Sequence, residues 1–128
     1  MAFKFSPRSE SNLVGVHVDL VSLARRALQV TRIDFVVTEG LRTQEKQAQM
    51  YQDGKSQTLR SRHLTGHAID IFALPSPEGS WRMADYQIIA DAFKQSSAEL
   101  GIPVEWGGDW CTLKDGPHFQ LPWREYPA

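Results

Sequence analysis

A carboxylate stands inside one of the most apolar runs of the chain: Asp70, in Ala68-Ile69-Asp70-Ile71-Phe72. The periodicity of the run points it inward, where an unpaired carboxylate needs a cation, a metal or several hydrogen bonds. His63 lies upstream across a loop containing Gly66, and a turn at that glycine folds it back beside the start of the Asp70 segment. One imidazole nitrogen and one carboxylate oxygen then converge, which suits zinc at about 2.0–2.2 Å. His118, in Asp115-Gly116-Pro117-His118-Phe119, is the natural third ligand. Three protein ligands leave one position of a tetrahedral zinc open to water, the arrangement of a catalytic rather than a closed structural site. Zinc brings the pKa of such a water towards about 7, and a nearby carboxylate takes its proton as it attacks a carbonyl. Asp115, just before His118, is placed for that task, and Arg42, on a turn after a short strand, for the developing oxyanion. A histidine–carboxylate–histidine set also accepts cobalt or manganese.

Each residue has a plainer reading. His63 and His118 could be an ordinary loop and an ordinary strand-end residue, Asp70 could pair with Arg60 or Arg62, and Arg42 could make a surface ion pair. His63 and His67 are spaced like a helical zinc pair, but Gly66 and the strand pattern that follows argue against a helix, and no Glu follows His63. His67 is therefore expected beside the ligands or against substrate. Ser61 is expected to hydrogen-bond within the loop and orient a ligand. Trp106 and Trp110 read by default as core, with a wall of the substrate groove as the alternative for Trp110; the lone Cys111 reads as a small buried hydrophobe and His17 as structural. No Ser or Cys has a convincing nucleophile setting.

The elements that must position these side chains follow from periodicity. Residues 9–30 carry apolar positions at helical spacing, interrupted at Gly15 into two short helices. Phe35–Thr38 suits a short strand, and Thr43 caps a helix through about Asp53, with Gly54 as its stop. Residues 55–67 have no period and read as a loop. Ala68–Leu74 reads as a strand apolar on both faces except at Asp70. Ala84–Leu100 is the clearest later helix, ended by Gly101. Short strands near Val104–Trp106 and His118–Leu121 are separated by a Gly-Gly turn. The sum is a small single-domain α+β fold with an antiparallel sheet and flanking helices.

Composition narrows the classes. The 128 residues fit one domain, and 41% hydrophobic with 23% charged residues exclude a disordered or fibrous chain. A chain of this length closes one core without metal or disulfide staples, so a metal would serve function. One cysteine excludes an intrachain disulfide and a multi-thiolate zinc site. A net charge of −1 lacks the basic excess of nucleic-acid binders. No run approaches a membrane span, and the N-terminus has no apolar signal core, so the chain is expected to be soluble and made in the cytoplasm.

Ser61-Arg62-His63-Leu64-Thr65-Gly66-His67-Ala68-Ile69-Asp70 resembles the Ser-x-His-x-x-Gly-x-Ala-x-Asp signature of the zinc peptidases that cut peptidoglycan peptides, a group of D-Ala-D-Ala peptidases, L-alanyl-D-glutamate endopeptidases and phage endolysins. Glu39-Gly40-Leu41-Arg42-Thr43 looks like its arginine-bearing turn, although Glu39 stands where a small residue is common. Trp106-Gly107-Gly108-Asp109-Trp110 with the Asp115–Gln120 segment is similar to its C-terminal ligand segment. The resemblance spans about residues 30–122. It implies a hedgehog/D,D-peptidase-like fold, one zinc per chain on His63, Asp70 and His118, Asp115 as the base and Arg42 at the transition state. Asp115, where the D,D-dipeptidase branch usually has Glu, favours the L-alanyl-D-glutamate branch. The expectation is a phage-type endolysin cutting the L-Ala–D-Glu bond, monomeric, with residues 1–128 as one catalytic domain and no separate wall-binding domain. It would be held in the host cytoplasm until a pore-forming protein admits it to the periplasm and cell wall. Alternatives are a D-Ala-D-Ala carboxypeptidase on the same site and, as in hedgehog domains, a zinc-containing binding module without activity.

Overall fold

A computed structural model describes residues 3–56, 60–112 and 114–127. The middle of the expected 55–67 loop lies outside the described residues. The helical N-terminus divides at Gly15 as its pattern predicts, into α1 (Pro7–Asn12) and α2 (Val18–Val30). Ser6 caps α1 with Pro7 in its first turn, where a missing N–H costs nothing. Leu20, Leu23, Ala24, Ala27 and Leu28 of α2 face the core. The chain continues through β1 (Asp34–Glu39), α3 (Gln44–Gln52, capped by Thr43), β2 (Ala68–Leu74), α4 (Met83–Leu100), β3 (Glu105–Trp106) and β4 (His118–Gln120).

The four strands form one sheet in the order β1-β2-β4-β3, every pairing antiparallel. Helices α2 and α4 pack on each other, and the core joins them to Ile69, Ile71, Ala73 and Phe119 of the sheet. Phe93 of α4 stacks on Phe119 at 4.0 Å between ring centroids. This α+β arrangement is the expected one.

Three details differ from the sequence reading. Asp70 does not point into the apolar core. Strand side chains alternate, so Ile69, Ile71 and Ala73 take the core face while Asp70 and Phe72 take the other, and Asp70 is only half-buried. The 55–67 loop contains a 3-10 turn over Arg62–Thr65. Gly107–Asp109 is likewise a 3-10 turn that opens a longer loop, not a tight hairpin between β3 and β4.

Candidate metal centre

Register brings the expected ligands together. Asp70 sits mid-strand in β2, directly across from His118 on β4 and from Glu39 on β1. His63 arrives from the 3-10 turn, whose N-cap is Ser61: the Ser61 hydroxyl accepts the His63 backbone N–H at 3.2 Å. Gly66 closes the turn at φ +76, and a Cβ there would stand 2.4 Å from the Gly15 carbonyl, so glycine is required on both counts. The His17 N–H then donates to the Gly66 carbonyl, tying the turn to α2.

Among the described residues, one group of His, Cys, Asp and Glu side chains has donor atoms close enough for an ion: His63, Asp70 and His118, all within 4.8 Å of one another. His63 Nδ1–H donates to the Gly40 carbonyl at 2.8 Å, which leaves Nε2 as a lone pair. That Nε2 is buried without a hydrogen-bond partner, 3.4 Å from Asp70 Oδ1. His118 Nδ1 lies 3.2 Å from the same oxygen, and its Nε2 lies 2.7 Å from Gln120 Oε1. Ligands at about 2.0–2.2 Å from a tetrahedral ion are roughly 3.4 Å apart, so these separations fit a divalent cation. An imidazole lone pair facing a carboxylate oxygen is repulsive until a cation lies between them. The donor set therefore fits a metal.

Charge follows the same geometry. Burial alone would raise the Asp70 carboxyl, but the His118 and His63 rings beside it hold it well below the usual range. Burial disfavours the His118 cation, yet Asp70 outweighs it and raises that pKa. Asp115 is pushed up, first by burial and then by the Asp70 charge, against the lowering influence of His118, His63 and Arg42. Asp115 is held tightly: its N–H donates to the Gly107 carbonyl, and its carbonyl accepts the His118 N–H. A Cβ at residue 107 would come within 2.3 Å of the Asp115 carbonyl, which is why this approach uses glycine.

His63, Asp70 and His118 lie in an open cleft of about 710 Å³, lined also by Arg42, Asp115, Ser61 and Trp110. Arg42 is buried, and its backbone N–H donates to the His63 carbonyl. Its guanidinium forks onto both Glu39 oxygens, donates to Gln47 Oε1 at 2.6 Å and stands 4.0 Å from Asp70 Oδ2. Burial raises the Glu39 carboxyl, but Arg42 and Lys46 lower it further. Trp110 donates to Glu105 at 2.7 Å and packs 5.2 Å from the His118 ring. Trp106 is core, as expected.

Two expectations are corrected. His67 does not join the ligands or line the cleft; it bonds the Thr65 hydroxyl at 2.6 Å and faces His17 and Tyr126. Its odd offset from Asp70 sends it to the other side of the chain. Cys111 is exposed, on the turn after Trp110. His17 is structural and has a partner, its Nδ1 accepting the Asp19 N–H to cap α2. The residues that reading the sequence missed are Glu39 and Gln47, which hold Arg42, and Gln120. The signal for Gln120 was its spacing of two from His118 on a strand, which puts both on one face.

Residues 1–121 match the family described as phage L-alanyl-D-glutamate peptidase. The chain belongs to this family. The L-alanyl-D-glutamate peptidase of Escherichia phage T5 is 36% identical over 119 residues, covering 90% of this chain and 87% of that protein. The L-alanyl-D-glutamate peptidase of Listeria phage A118 is 32% identical over 98% of this chain, which spans only 45% of that protein. The crystal structure of the Serratia marcescens L-Ala D-Glu endopeptidase ChiX is 54% identical, with a TM-score of 0.93 over 99% of this chain and 96% of that one.

Proposed function

We propose that residues 1–128 form one catalytic unit, a zinc peptidase that hydrolyses the L-Ala–D-Glu bond of peptidoglycan stem peptides and works as a phage-type endolysin. The observation that carries this reading is the unpartnered His63 Nε2 converging with Asp70 Oδ1 and His118 Nδ1 in an open cleft, in a chain of this family. His63, Asp70 and His118 would hold the zinc, which when bound supplies a Lewis acid for the scissile carbonyl and acidifies water. Asp115 accepts the proton of the attacking water and returns it to the departing D-Glu amine; its raised pKa suits both roles. Arg42 faces the negative charge that develops on the carbonyl oxygen. Glu39 and Gln47 hold its guanidinium in advance, so little reorganisation is needed at the moment of reaction. Trp110 walls the groove. Because the nucleophile is water rather than a side chain, hydrolysis passes through no covalent acyl-enzyme.

In this reading the protein is a monomer that waits in the host cytoplasm and reaches the wall once the inner membrane is breached. The likeness to a Serratia marcescens protein favours a second setting, in which a bacterium uses the same chemistry on its own behalf. Metal analysis of purified wild-type and His63→Ala protein, paired with a turbidity assay on Gram-negative sacculi, tests the reading. One zinc per chain and lysis are expected from the wild type, and neither from the variant. Lysis by the zinc-free variant would overturn it.

A further inference from the structure

We infer that Gln120 is a positioning residue for the metal centre: its side-chain carbonyl keeps the His118 proton on Nε2 and so presents Nδ1 as the ligand atom. The inference rests on the reading of His118 as a metal ligand. A neutral imidazole carries one N–H, and the hydrogen bond made by one nitrogen decides what the other can do. At His63 the Gly40 carbonyl takes Nδ1–H and frees Nε2. At His118 the polarity is reversed, because Nδ1 faces Asp70 and Nε2 faces Gln120 Oε1 at 2.7 Å. The two histidines thus offer opposite ring nitrogens to one point. His63 is fixed by backbone, but His118 depends on a side chain.

Without that acceptor, the single proton would move to Nδ1, where the Asp70 carboxylate is the stronger acceptor 3.2 Å away. It would then occupy the position the metal must take. Gln120 is well placed to prevent this. It is buried, and its backbone is paired with Ala68 on one side and Glu105 on the other, so the side chain starts from a fixed point. An amide also supplies the acceptor without placing a further negative charge beside Asp70 and Asp115.

Zinc affinity of the full chain, measured by competition with a chelating dye, tests this in wild type, Gln120→Met, Gln120→Glu and His118→Ala. We expect Gln120→Met to bind about 10–100-fold more weakly, with thermal unfolding of the metal-free protein unchanged. Gln120→Glu, which keeps the acceptor, should stay within about threefold of wild type, and His118→Ala should lose binding. Nitrogen-15 NMR of the zinc-loaded wild type, which needs no variant to fold, should show the His118 proton on Nε2. A proton on Nδ1, or wild-type affinity in Gln120→Met while His118→Ala fails, would overturn the inference alone. Wild-type affinity in His118→Ala would overturn the ligand assignment and the inference with it.

Discussion

Asp115 and Arg42 line the same cleft as the candidate ligands; the proposed function gives them different work, and substitution separates it. Asp115→Asn removes the proton acceptor while keeping the shape and the Gly107 contact. Its kcat should fall about 10²–10⁴-fold, with zinc content unchanged by metal analysis. Arg42→Lys keeps the charge but loses the planar fork that spans Glu39 and Gln47. Its kcat should fall about 10²–10³-fold with a smaller change in KM, as steady-state kinetics on a stem-peptide substrate would show. The candidate ligand set was legible because a carboxylate in an apolar strand has few explanations, the Ser61–Asp70 motif carries His63, and the C-terminal segment carries His118. Glu39 was visible as an oddity in the arginine turn, but its pairing with Arg42 depends on a curl of backbone that sequence spacing does not encode. Gln120 was hidden for another reason: a glutamine on a strand is usually unremarkable until the ring beside it is known to be a ligand.

At the level of elements, the site is a matter of register. One-residue slippage between β2 and β4 would turn His118 away from Asp70, so the strand pairing fixes the candidate ligands as firmly as their own bonds. The loop carrying His63 is secured from the other side by the C-terminal segment. Arg62, next to His63, donates to the Leu121 and Tyr126 carbonyls and stacks 4.2 Å from the Trp123 ring centroid. Tyr126 in turn donates to Asp19 Oδ2 at 2.7 Å, and this bond pushes its hydroxyl up to about 12. A raised folded-state pKa stabilises below the ordinary tyrosine value of about 10, and that stability is lost as pH climbs through about 12. Tyr126→Phe should therefore be less stable by about 0.5–1.5 kcal/mol in denaturant titrations at neutral pH, with the gap from wild type closing above pH 10. The helices and strands were legible from period and punctuation: Gly15 divides the first helical stretch, and Thr43 starts α3. The 3-10 turns were not, because they are too short to show a period. The face taken by Asp70 was misjudged because β2 is apolar on both sides, which leaves alternation without a contrast to reveal it.

For the whole molecule, the core and the metal centre are separable. The buried apolar cluster joins α2, α4 and the core face of the sheet, while His63, Asp70 and His118 lie on the cleft side. Chelation should therefore abolish activity and leave a folded protein. Differential scanning calorimetry should show a cooperative transition without metal, raised by zinc through mass action by about 2.7 kcal/mol at a hundredfold excess over Kd. Loss of the transition together with activity would instead mark a structural zinc. The L-Ala–D-Glu bond is the one expected to be cut. Purified sacculi digested with zinc-loaded protein and analysed by mass spectrometry should yield stem peptides with a new free amine on D-Glu, leaving L-Ala on the muramyl lactyl group. Release of D-Ala with the L-Ala–D-Glu bond intact would contradict it.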